Sequence, residues 1–357
     1  MTQTVLLLCG GRSEEHEISL ISAKCLLDAL DRKKYRPLVV GISKKGVWYL
    51  EEEDSFYLGE LRADRIQLNE KRPTVSIVPF CSEKGEGQLL CEGQTLTFDV
   101  VFPILHGPFG EDGTLQGLLE MLGVAYVGSG CSSSANCMDK GITKQLAQAA
   151  GIKVADYVEL RSLADLGLHS KAIAQLGLPV FVKPSRMGSS VGVTKVSQAS
   201  QLHAAVQSAF QFDSKVLVEK GITGREIECA VLGHTTQARV ASPGEIIPNP
   251  KIGWYSYEAK YLNAEGAVTQ VPAQLSETLL QKFQEITLRV FKALDCEGLA
   301  RVDFFLEKDT DEIYLNEINT LPGFTPISMY PKMWEATGIS YSDLITQLLE
   351  LAKKRKS

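Results

Sequence analysis

The sequence predicts a mixed α/β and α+β architecture, with a parallel-sheet domain at the N-terminus, and three observations carry that reading. An apolar strand at 4–9 runs into Gly10-Gly11 and a helical pattern, then a second strand, which opens a βαβ unit. Later apolar runs alternate in the manner of mainly antiparallel sheets. A chain of 357 residues also exceeds what one compact core supports, so two or three domains are expected.

Taken in order, the helix after Gly11 spans about Ser19 to Leu30, and the strand Arg36–Ser43 follows. Residues 46–97 are charged and irregular, with short alternating runs at 75–79 and 88–98 that read as edge hairpins. A buried strand at 99–105 leads through His106–Thr114 into a helix ending near Leu122. A helix at 140–150 stops at Gly151, and the strand 179–183 runs into a Gly-Ser loop. A helix near 197–211 and the strand 215–219 follow, and alternation at 227–232 continues that sheet. Residues 243–268 are rich in Gly, Pro, Asn and Tyr with little periodicity, the pattern of a functional loop. Helix 276–293, two polar strands and a closing helix at 341–354 finish the chain.

Composition narrows the class. Hydrophobic content of 44% and charged content of 22% are those of an ordinary globular protein. A net charge of −6 argues against nucleic acid or an anionic membrane as main partner. The N-terminus lacks the basic region of a signal peptide, and no stretch approaches the ~20 apolar residues of a membrane span. Eight cysteines without metal spacing read as free thiols in a reducing cytoplasm.

The chemistry concentrates near the C-terminus. Arg301 and Asp303 share one face of a strand, as do Glu317 and Asn319 on the next. Two carboxylates and an amide oxygen facing one way suit a hard cation such as Mg2+, and the guanidinium beside them suits a phosphate or an oxyanion. Far upstream, Lys183 ends a strand before the loop Arg186-Met-Gly-Ser-Ser-Val-Gly192, whose free N–H groups can cradle phosphates. It is not a Walker A loop, and Gly10-Gly11 lacks a full dinucleotide fingerprint. The combination points to a Mg-nucleotide enzyme.

Met138-Asp-Lys140, Val182–Gly192, Glu219-Lys220 with Glu226, and Arg301-Val-Asp303 with Asn316–Gly323 together resemble the ATP-grasp fold. With Gly10–Ser19, His106–Gly113 and Glu258-Ala-Lys-Tyr261, the whole chain resembles the D-alanine–D-alanine ligase family. The resemblance implies an N-terminal domain at 1–135 like a doubly wound sheet, a central subdomain at 136–232 and a C-terminal subdomain at 233–357 carrying a lid at 243–268. It implies ATP-dependent joining of two D-alanines through a D-alanyl phosphate, for the cell-wall precursor, by a cytoplasmic homodimer.

Residue by residue, the resemblance implies that Lys140, Lys183 and Lys260 neutralise ATP phosphates. Glu219 and the Lys220–Ile222 backbone would read adenine, and Glu226 the ribose. Asp303, Glu317 and Asn319 would hold two Mg2+ (or Mn2+) ions. Glu15 would pair with the ammonium of the first D-alanine, with His106 a positioning group beside it. Arg301 and the N–H of Gly323 would form the oxyanion site, and Ser328 with the Met329 backbone would hold the second carboxylate. Ser189 and Tyr261 would join Glu15 in one hydrogen-bond set. The nearest rival is a relative joining D-alanine to D-lactate or D-serine. Glu258–Tyr261 and Ile327–Met329 resemble the D-alanine–D-alanine form instead. A nucleotide-binding regulator without catalysis should lack a metal ligand or Arg301, and an oxidoreductase rests on the first βαβ unit alone.

Overall fold

The computed structural model describes residues 2–79, 85–248 and 267–354. The apolar run at the N-terminus forms the strand Gln3–Gly10, which pairs in parallel with Tyr35–Ile42 on one side and Val100–Pro103 on the other. Ala125–Tyr126 extends the parallel run, and Trp48–Glu51 closes the far edge antiparallel. The first helix begins at His16, three residues earlier than the periodicity suggests. The charged 46–97 stretch builds small antiparallel sheets, including the three strands Ser76–Ile77, Gly87–Cys91 and Gln94–Phe98.

The antiparallel strands divide between two sheets. Tyr157–Leu160, Val216–Lys220, Val180–Pro184 and Thr194–Val196 form the central one, in that spatial order. The strand Gly224–Gly233 does not continue it. Instead it pairs along its whole length with Gly298–Glu307, which pairs with Ile313–Asn319. The alternation at 227–232 is therefore real, but it serves the C-terminal sheet, and the change of sheet falls between Lys220 and Gly224. Periodicity fixes which face a residue takes and carries no information about the neighbouring strand.

Both ends of the expected 243–268 loop are also strands. Gly244–Pro248 and Ala267–Gln270 pair antiparallel, and the rest of that segment, with Lys260 and Tyr261, lies outside the described residues. The helix Lys140–Ala149 packs Ala147 into the apolar core under the C-terminal sheet, alongside Phe283, Val290 and Phe291 of Glu277–Ala293. Its first turn reaches towards the central sheet. A separate core unites the N-terminal sheet with the helices Met329–Ala336 and Tyr341–Lys354, and the central sheet has a core of its own. No helix among the described residues is long and apolar enough to cross a membrane.

Candidate active site

Two cavities meet at a common wall. One is walled by all three units and lined by Glu15, His106, Ser189, Gly323, Ser328 and Met329. The other lies between the central and C-terminal sheets, lined by Lys183, Glu219, Lys220, Ile222, Glu226 and Asp303. Lys140, Glu228, Arg301 and Glu317 line both, together with Met187. A molecule in one cavity is thus separated from a molecule in the other by little more than these four charged side chains.

Strand register builds that wall. Glu228, Asp303 and Glu317 stand directly opposite one another on three adjacent strands, and Arg301 stands opposite Asn319. Like charges in such a row repel unless cations lie among them. The Arg301 guanidinium supplies one: its Nε donates to Asp303 Oδ1 at 2.8 Å and a terminal nitrogen to Oδ2 at 2.7 Å, with Glu228 3.2 Å away. Burial works against that charge, but Asp303 and Glu228 outweigh it and push the pKa of Arg301 further up. Lys140 supplies another, 3.1 Å from Glu317, and Asn319 Nδ2 donates to Asp303 at 3.0 Å. The i, i+2 pairing expected for Arg301 and Asp303 is present.

The remaining donors of this row are all oxygens, the chemistry of a hard divalent cation. Among the described residues no three His, Cys, Asp or Glu side chains converge as a metal site. A cation held by Asp303 and Glu317 would therefore need the Asn319 amide oxygen and oxygens from a ligand to complete its shell.

Glu15, buried at the start of the first helix, accepts a hydrogen bond from Ser189 Oγ across the interface with the central unit. Glycines make room for it: a Cβ at Gly107 would lie 3.0 Å from Glu15 Oε2, and one at Gly188 2.9 Å. Ser189 and Ser190 both adopt positive φ, of 50° and 62°, a left-handed conformation that costs a non-glycine residue about 1–2 kcal/mol. Such strain in a loop facing two cavities is typical of a ligand-holding segment. Ser328 is the N-cap of Met329–Ala336, so that helix directs its unpaired N–H groups at the first cavity. Its Oγ accepts from Thr325 N–H at 3.0 Å.

In the second cavity the Glu219 side chain has two partners. The Glu219 carboxylate is held between two ammonium groups, Lys183 at 2.8 Å and Lys144 at 2.8 Å. Burial would raise the pKa of Glu219, yet the two lysines outweigh it and hold it low. Its side chain is thus engaged by this ion pair, while Lys220 is exposed at the cavity edge. Lys144 escaped sequence reasoning because a lysine in a helix of Lys, Gln and Ala reads as a solvated face. It is fully buried, one turn beyond Lys140 on the same face. Glu228 also escaped, since alternation along its strand does not reveal that Asp303 stands opposite it. Glu111 lies within the His106–Gly113 motif, and it too lines the first cavity.

With this geometry in view, the chain matches two family models, D-ala D-ala ligase N-terminus over residues 4–129 and D-ala D-ala ligase C-terminus over residues 146–350. It is 48% identical to a D-alanine–D-alanine ligase of Oceanobacillus iheyensis, over 99% of this chain and 96% of that protein. Among solved structures it is similar to the D-alanine–D-alanine ligase of Coxiella burnetii, with TM-score 0.84 and 37% identity over 99% of this chain and 94% of that one. The VanG D-Ala:D-Ser ligase from Enterococcus faecalis is equally similar in fold, at TM-score 0.84 and 34% identity, covering 99% of this chain and 100% of that one.

Proposed function

The chain belongs to the D-alanine–D-alanine ligase family, and from that premise we propose how its own residues carry out the ATP-dependent joining of two D-alanines. The enzyme forms D-alanyl-D-alanine for the peptidoglycan precursor, with ATP as the source of the activating phosphoryl group. The observation that carries the assignment of parts is the common wall: Lys140, Arg301 and Glu317 face both cavities.

ATP occupies the cavity between the central and C-terminal sheets, with its phosphates towards Lys140 and Lys183, and with Lys260 from the lid segment. The 220–222 backbone reads adenine, and Glu226 holds the ribose. Glu219 acts through Lys183, keeping its ammonium group aimed into the cavity. The first D-alanine lies beside Glu15, which pairs with its ammonium, while its carboxylate faces Arg301. Attack of that carboxylate oxygen on the γ-phosphorus gives an acyl phosphate and ADP. The amine of a second D-alanine, its carboxylate at Ser328 and the N-terminus of Met329–Ala336, then adds to the acyl carbon and displaces phosphate. Arg301 and the Gly323 N–H stabilise the oxyanion that develops there. Ser189, held by Glu15, and Tyr261 complete the closed site.

Asp303, Glu317 and Asn319 would hold Mg2+ or Mn2+, which supplies charge neutralisation on the phosphates and orients them. A cytoplasmic homodimer is the setting that family membership supports.

The test is phosphate release from ATP and Mg2+ with D-alanine, D-serine or D-lactate, products identified by mass. Dipeptide of D-alanine alone as the main product is expected. Phosphate release without dipeptide, or a dominant D-alanyl-D-serine or D-alanyl-D-lactate product, would overturn the assignment.

A further inference from the structure

The turn after the strand Ile313–Asn319 carries Gly323, and its backbone is held from across the domain interface. Glu111 Oε1 accepts the N–H of Leu321 at 3.1 Å, and its Oε2 accepts the N–H of Gly107 at 2.7 Å. His106, at the start of the same loop, has Nδ1 3.0 Å from the Leu321 carbonyl, which can only accept, so this nitrogen carries the proton. Its Nε2 then accepts from Ser22, 3.3 Å away, and Ser22 Oγ accepts the N–H of Phe324 at 3.4 Å. Three N-terminal side chains thus fix the backbone on both sides of Gly323.

We propose that Glu111 is a positioning residue for the ligation. With His106 it clamps both backbone groups of Leu321 and so sets where the Gly323 N–H points relative to the first substrate. Burial and the nearby Glu15 carboxylate push the Glu111 pKa up to about 8, while the two amide donors act to lower it. Its work is geometric. Both of its oxygens are committed to amides that no water can reach easily, and a one-ångström error at such a donor can cost on the order of 100-fold in rate.

Glu111→Gln keeps size but offers one acceptor oxygen where two are needed. The expected result is a fall in kcat/KM for D-alanine of roughly 10–100-fold, with KM for ATP within about twofold because the nucleotide cavity does not include this loop. His106→Ala should show the same split. The double variant should lose little more than the worse single one, since either substitution opens the same clamp. If Glu111→Gln does not fold, Glu111→Asp, whose shorter reach can serve one donor only, gives the same comparison. Unchanged D-alanine kinetics, an equal rise in KM for ATP, or independent additive losses would each overturn the clamp. The inference rests on the ligase reading. That reading fails if the unsubstituted protein makes no dipeptide, whereas the clamp fails only in variants of an active enzyme.

Discussion

Charged residues in this protein are buried for opposing reasons, and single substitutions separate them. The row Glu228, Asp303 and Glu317 concentrates negative charge at the wall between the cavities. Removing Glu317 relieves repulsion in the free protein and, on its proposed role, takes a cation ligand from the working one. Glu317→Ala should therefore hold or raise the melting temperature while lowering turnover at least about 100-fold. Near-normal turnover would dismiss Glu317 as a metal ligand. Glu51 is a different case. It ends the edge strand of the N-terminal sheet with its side chain buried, 3.9 Å from Arg72, and burial pushes its pKa up to about 8. Between the unfolded value near 4.3 and about 8, the unfolded chain gives up this proton and the folded one keeps it, so stability falls as pH rises through that window. Glu51→Gln should be the more stable form at pH 8 by on the order of 1–2 kcal/mol, and the advantage should fade by pH 4.5. Urea unfolding at the two pH values measures it, and an advantage independent of pH would place the effect in packing instead.

Among the elements, the helix Lys140–Ala149 couples the two sheets. Asp139 is its N-cap, accepting from Gly141 and Ile142 N–H at 3.1 Å each, and it also pairs with the buried Lys215 at 2.6 Å. Asp139→Ala removes a cap worth about 0.5–2 kcal/mol and weakens a buried ion pair. Lys215 keeps Glu159 at 3.3 Å, so a total loss of roughly 2–4 kcal/mol is expected. Lys140 is the first residue of this helix, so KM for ATP should rise as well; denaturant unfolding and ATP titration of kcat test the two parts. Asp139→Asn, which keeps the acceptor, should fall between. A stable variant with raised KM would separate the cap's energy from its placement of Lys140. What was legible at this level followed from local pattern. Leu344, Ile345, Leu348 and Leu349 announce the closing helix by their spacing, and Arg301 with Asp303 announces a shared strand face. The helix Met329–Ala336 was missed because Pro331 near its start reads as a breaker, although proline is tolerated in a first turn. Lys144, Glu228 and Glu111 were missed because their meaning lies in partners 75, 73 and 210 positions away.

At the scale of the whole molecule, the three units named by their sheets are two units by their cores. Val5, Leu7 and Phe102 of the N-terminal sheet share one apolar cluster with Ala230 and Leu299 of the C-terminal sheet, and the closing helix fills it with Leu344, Ile345, Leu348 and Leu349. The central sheet packs Val180, Val182, Val206, Val216 and Val218 into a cluster apart from it. Cores that share residues lose cooperativity together, and a separate core can open by itself. Leu348→Ala should cost about 2–5 kcal/mol through the cavity it leaves, and the loss should be felt at both ends of the chain. Native-state hydrogen exchange is the measurement: protection should drop together in Gln3–Gly10 and Gly298–Glu307 and stay unchanged in Val180–Pro184 and Val216–Lys220. A drop confined to the closing helix and the N-terminal sheet would mean that the C-terminal sheet stands alone. The same division bears on catalysis, because the cavity proposed for the nucleotide lies across the seam between the separate core and the shared one. The Ser189 loop and Lys183 belong to the side with the separate core, while Arg301, Asp303 and Glu317 belong to the side with the shared one. ATP should then raise protection in the central strands more than in Gly298–Glu307, since binding orders the unit with the smaller stability of its own.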